Sequence, residues 1–118
     1  MKKSERNFLV YLNDIKDSIQ WILQFTKGLT LEEFVEDRKT IDAVIRNFEI
    51  IGEASKSVPR EIKEEFDAIP WREMYLMRNK ISHEYFGIDY ELIWDVILNE
   101  LPSNLSEIER IIKTRSKK

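Results

Sequence analysis

The chain has 118 residues, 42% of them hydrophobic and 35% charged, which fits one domain over residues 1–118 and leaves no room for a second. The absence of cysteine excludes disulfides and thiolate metal sites, and a net charge of −3 excludes a general electrostatic coat for DNA or RNA, though not a local site where a few basic side chains meet one phosphate. The N-terminus lacks the apolar run of a signal peptide, and no stretch approaches the roughly 18 apolar residues of a membrane span, so a cytoplasmic protein without membrane association is expected.

Glycine and proline occur three times each, and no alternating strand pattern of convincing length is present, so the chain reads as all-α. Phe8, Tyr11, Leu12, Ile15, Ile19, Ile22 and Phe25 recur at three- and four-residue spacing and predict a helix over 5–25. Gly28 is placed to cap it in the left-handed conformation. Thr30 and Glu33 then form a capping-box pair that opens a short helix.

A longer helix is expected over 38–57, with Ile41, Val44, Ile45, Phe48 and Ile51 as its stripe. Gly52 holds the next place on that stripe, where a glycine costs about 1 kcal/mol against alanine and usually marks close approach of another backbone. Pro59 starts a short helix through Phe66, and Pro70 starts one carrying Trp71, Tyr75, Met77 and Ile81. Gly87 breaks that helix, and Asp89 caps another containing Leu92, Ile93, Val96, Ile97 and Leu101. Pro102 starts or kinks a last helix through Leu105, Ile108, Ile111 and Ile112, and 113–118 reads as a disordered basic tail. Five or six helices joined by short turns make an up-and-down antiparallel bundle. Apolar residues occupy more helix faces than a four-helix monomer core would use, which points to a homodimer.

The single histidine, His83, is the side chain suited to proton transfer near neutral pH. A lone histidine is more often structural, but Arg78, Asn79, Ser82, His83, Glu84 and Tyr85 crowd polar groups at a helix end next to Gly87. Asn79 and His83 share one helix face and Arg78 and Ser82 the adjacent one. Arg78 and His83, five apart, diverge on an ideal helix. A long arginine side chain, a loosened helix end, or two copies across a twofold axis would each reunite them. A base beside a guanidinium suits cleavage of an RNA phosphodiester by its own 2′-OH, a reaction that requires neither metal nor cofactor.

Arg46, Glu49 and Glu53, spaced by three and four residues, form a second polar group. The two glutamates repel unless a cation is near. One reading makes them a brace that orients Arg78, the other an exposed face with an ordinary ion pair. Trp71 and Trp94 flank the polar segment and are better explained by core packing than by base stacking.

Arg78, four intervening residues, His83, one residue and Tyr85 together resemble the motif of the HEPN superfamily, in particular the HepT-like toxins. The segment Phe48-Glu49-Ile50-Ile51-Gly52-Glu53-Ala54-Ser55-Lys56, the approach Ile69-Pro70-Trp71 and Met77-Arg78-Asn79, and the exit from His83 to Asp89 with Trp94 resemble the same family, so the likeness runs from about Phe8 to Ile112. The resemblance implies a dimeric helical bundle whose motifs line one cleft, and a metal-independent ribonuclease toxin acting on RNA. Arg78 and His83 would be catalytic, Asn79 the polar residue that follows the arginine, and Tyr85 the site of AMP transfer by an MNT-type nucleotidyltransferase antitoxin. The alternative is a non-catalytic nucleotide- or partner-binding subunit of a nucleotidyltransferase, with Arg78 and Tyr85 serving recognition.

Overall fold

The computed structural model describes the backbone of residues 3–82 and 87–116 and the side chains of residues 8–77 and 87–116. Seven helices and no strand occur among the described residues. They are α1 (Lys3–Thr26), α2 (Leu31–Glu36), α3 (Arg38–Ser57), α4 (Arg60–Glu65), α5 (Trp71–Ser82), α6 (Tyr90–Asn99) and α7 (Leu101–Ser116). None of them is long and apolar enough to cross a membrane.

The start and stop signals act locally, as read from the sequence. Gly28 follows α1 with φ +80°, a conformation that costs a side chain dearly. The Thr30 hydroxyl accepts from the Glu33 amide at 3.1 Å, while the Glu33 carboxylate accepts from the Thr30 amide at 2.9 Å. Asp89 caps α6 by accepting from the Leu92 amide at 3.0 Å. Asp37, not anticipated as a cap, does the same for α3 through the Thr40 amide at 3.1 Å. It separates α2 from α3 with no further residues between them.

Two boundaries differ from expectation. Leu101 opens α7 instead of ending α6, because Glu100 leaves helical geometry (φ −120°) and closes α6 by donating to the Val96 carbonyl. Pro102, lacking an N–H, is then tolerated in the first turn of α7. At the other end α7 runs on through Lys113 to Ser116, residues read from the sequence as tail. Arg115 explains the extension: it pairs with Glu65 and lies over the ring of Phe66 at 5.2 Å, so this basic turn has partners to order against.

The bundle is organised around α3, which packs against α1 on one side and α5 on the other, while α7 covers α1 and α6 joins α7. The α1 helix is about 36 Å long. The 27–37 link, six of whose residues coil into α2, is too short to carry the chain back along it. Thus α3 must run antiparallel to α1. The expected stripe of α1 is the core: Phe8, Leu12, Ile15, Ile19 and Ile22 are fully buried. Phe25 departs from it and is exposed. At 100° per residue it has rotated 60° past Ile22, off the buried edge. Trp71 and Trp94 pack as expected. Trp71 is buried with its indole N–H donating to the Phe66 carbonyl at 3.1 Å, and Trp94 stacks on buried Phe34 with ring centroids 5.1 Å apart.

Candidate active site

The polar segment singled out in the sequence falls at the C-terminal end of α5. Arg78, Asn79 and Ser82 lie in its last turns, and their side chains are outside the described residues. His83 and Tyr85 lie outside them altogether. Geometry at this end of the bundle therefore comes from what α5 packs against.

The Lys56 ammonium lies 5.7 Å from the centre of the Tyr75 ring, which pins the last turn of α3 to the start of α5. Further along, Phe48 and Ile51 of α3 share a cavity of about 240 Å³ with Met74 and Met77 of α5. Because α3 and α5 pack extensively on each other, a start of α5 held at the end of α3 leaves the rest of α5 to run back along α3, and the two helices are antiparallel. Seven residues separate Tyr75 from Ser82, about 10 Å of helix. The same distance back from Lys56 along α3 reaches Glu49. The last turns of α5 therefore run alongside the turns of α3 that carry Glu49 and Glu53, and Gly52, between them, is buried.

Arg46 Nη1 lies 3.7 Å from Glu49 Oε1, with the Arg46 side chain 72% exposed. An ion pair this long and this exposed adds little stability. Both Glu49 and Glu53 are engaged in the structure. Two carboxylates in successive turns produce a negative potential that favours a cation beside them, so this stretch of α3 is suited to receive a basic side chain. Downstream, α6 begins at Tyr90, whose ring meets Phe34 edge-on at 6.3 Å, so the chain leaving the segment is anchored two residues after Ile88.

A family model described as ribonuclease HepT-like matches residues 15–112, a span that contains α2 to α6 entire together with the whole polar segment. The chain belongs to the HepT-like ribonuclease family. This places it in the HEPN superfamily, as its motif suggested. Among HepT-like relatives, "Putative RNase MJ0127" of Methanocaldococcus jannaschii is 45% identical over 112 residues, covering 95% of this chain and 90% of that protein. "Probable ribonuclease HepT" of Thermococcus cleftensis is 43% identical over 113 residues, 96% of this chain and 100% of its own length. "Putative RNase TTE0752" of Caldanaerobacter subterraneus is 39% identical, covering 87% and 92%. No solved structure gives a significant match.

Sequence reasoning passed over one surface of this HepT-like bundle. Phe25, expected on the buried stripe of α1, instead stacks on Trp21 in solvent. The signal was available: Trp21 falls outside the buried positions of the α1 stripe.

Proposed function

We propose that the protein is a metal-independent endoribonuclease toxin that works as a homodimer. The family match across the Arg78–Tyr85 segment carries this reading, and the antiparallel register that brings α5's last turns beside Glu49 and Glu53 supports it. His83, as base, takes the proton of an RNA 2′-OH. The 2′-oxygen attacks the adjacent phosphorus, the bond to the 5′-oxygen breaks, and that oxygen takes a proton from water as it leaves, while His83 returns its proton to solvent. The products are a 2′,3′-cyclic phosphate and a 5′-OH end. Arg78 stabilises charge on the non-bridging oxygens in the transition state. Asn79 and Ser82 support the phosphate, and Glu49 and Glu53 hold the arginine in place. Two copies across a twofold axis pool their groups, which removes the divergence of Arg78 and His83 on one helix.

Control comes from an MNT-type nucleotidyltransferase antitoxin. Transfer of AMP from a nucleoside triphosphate to the Tyr85 hydroxyl, with release of pyrophosphate, sets a phosphate and a bulky nucleoside at the cleft. RNA is then excluded by volume and by like charge, and Arg78 is drawn to the new phosphate.

The decisive experiment is cleavage of RNA by purified protein in EDTA, with His83→Ala alongside. Wild type should cut and leave cyclic phosphate ends, and His83→Ala should lose nearly all activity while keeping its helical circular dichroism. Equal cleavage by the variant would remove His83 as the base. Tight nucleotide binding with no cleavage at any enzyme concentration would favour the non-catalytic subunit. Co-expression with a nucleotidyltransferase encoded beside it should add one or more adenylates by mass, and Tyr85→Phe should abolish that addition.

A further inference from the structure

Helix α5 packs mainly on α3, whereas α6 packs on α7 and α2. The seam between α5 and α6 is therefore loosely filled, and a half-open cavity of about 240 Å³ lies there. Its walls are Phe48 and Ile51 of α3, Met74 and Met77 of α5, Val96 of α6 and Leu101 of α7. All of these but Met77 are buried. Apolar walls that face unfilled space forfeit the dispersion contacts that a well-fitting ligand restores. An apolar cavity of about 150 Å³ already takes benzene, so this one has room for an apolar body of about eight to ten non-hydrogen atoms. The two methionines adjust to its shape through their flexible thioether chains.

The mouth of the cavity carries charge of one sign. Glu73 and Glu100 line it and are exposed, and neither carboxylate has an ion-pair or hydrogen-bond partner among the described residues. No lysine or arginine lies among the described lining residues. Asn104 of α7, half-buried at the same cavity, adds an amide oxygen able to accept from an ammonium group. Phosphates, nucleotides and RNA meet like charge at this mouth, as do fatty carboxylates, whereas a cation is drawn to it.

We infer that this cavity binds a small organic cation, an ammonium group on an apolar body, with the body between α5 and α6 and the ammonium at the mouth beside Glu73 and Glu100. The site is joined to the candidate active site through α5, because Met77 lines the cavity and Arg78 follows it in the chain. A ligand that bridges α5 to α6 holds the last turns of α5 in place, which makes the cavity a regulatory site for the proposed cleavage. That regulatory bearing rests on the ribonuclease reading, whereas the binding rests on the cavity alone.

The test is calorimetric titration of the full chain with three probes that share one body and differ in charge: 2-phenylethylammonium, 2-phenylethanol and 3-phenylpropanoate. Wild type should bind the ammonium with a Kd of about 0.1 mM. The alcohol should bind roughly tenfold more weakly, and the carboxylate more weakly still. Glu73→Gln with Glu100→Gln changes two exposed side chains and leaves the apolar walls intact, so the ammonium and the alcohol should then bind alike. Leu92→Phe fills the cavity from α6 and should abolish binding of all three, with circular dichroism to show that it folds. The glutamine variant decides the matter on its own if it does not. No binding of any probe overturns the inference, as does equal binding of the ammonium and the carboxylate by wild type, or unchanged binding by a folded Leu92→Phe. A wild-type dimer that binds no probe and that Leu76→Glu, at the cavity, turns into a monomer overturns it and gives the cavity to a second copy. Binding of a leucine- and lysine-rich peptide but of no free probe overturns it in favour of a basic protein segment. Saturating ammonium probe should change the rate of RNA cleavage at least twofold in wild type and not in Leu92→Phe, and an unchanged wild-type rate overturns the regulatory role. Probe binding in the expected order without RNA cleavage would sink the ribonuclease reading alone, whereas cleavage without probe binding would sink the inference alone.

Discussion

The ammonium of Lys56 sits 5.7 Å over the ring of Tyr75, a pairing that marks the register of α5 on α3. A one-turn slip of α5 would carry its last turns away from Glu49 and Glu53. Lys56→Met keeps the aliphatic stem and removes the charge, so it should cost about 0.5–1 kcal/mol in urea unfolding. A double-mutant cycle with Tyr75→Leu isolates the pair, and additive losses would show that the ring and the ammonium do not interact.

Phe34 is fully buried on α2, between the stacked ring of Trp94 and the edge-on ring of Tyr90. Phe34→Ala should destabilise by about 3–5 kcal/mol in denaturant unfolding, because two rigid aromatic neighbours cannot collapse into the space. This short helix is then what clamps the start of α6. A loss below about 1 kcal/mol would mean that α2 docks independently of the ring.

The Ser55 hydroxyl is fully buried and has no hydrogen-bond partner among the described residues. Its desolvation is uncompensated, so Ser55→Ala should be neutral or stabilise by up to about 1 kcal/mol. A clear loss of thermal stability would reveal a partner for the hydroxyl.

Gly28 holds φ +80° in open space, with nothing within 4 Å of an added Cβ. Gly28→Ala should therefore cost about 1 kcal/mol through backbone strain alone, and Gly28→Asn less, since asparagine tolerates the left-handed region. Equal stability of all three by thermal unfolding would indicate that the turn can relax.

Asp37 has its carboxyl held below the ordinary value of 3.8, first by the Thr40 hydroxyl and then by the Thr40 amide. A carboxylate depressed in the folded state adds stability above its unfolded pKa and loses it as pH falls through the folded value. The stability gap between wild type and Asp37→Ala should be widest near neutrality and narrow in acid. Urea unfolding across that range measures it, and a gap constant with pH would assign the effect to helix propensity.

The local order of this protein was set by sequence alone. Spacing placed the buried stripes of α1 and α3, and Gly28, Thr30 and Asp89 punctuate the chain because a left-handed φ or an amide-accepting side chain acts over three residues. The motif from Arg78 to Tyr85 was legible too, since its residue types and spacing are themselves the signal. Tertiary structure decided what no local pattern encodes. It put Glu49 and Glu53 beside the end of α5, because the α3–α5 register depends on contacts such as Lys56 with Tyr75, nineteen residues apart. It ordered Lys113 to Ser116 through Glu65 and Phe66. It also left Trp21 and Phe25 stacked in solvent, because the edge of the buried face on α1 is drawn by the helices that pack against it. The segment recognised first thus owes its family signature to its own residues, and its setting to an antiparallel neighbour.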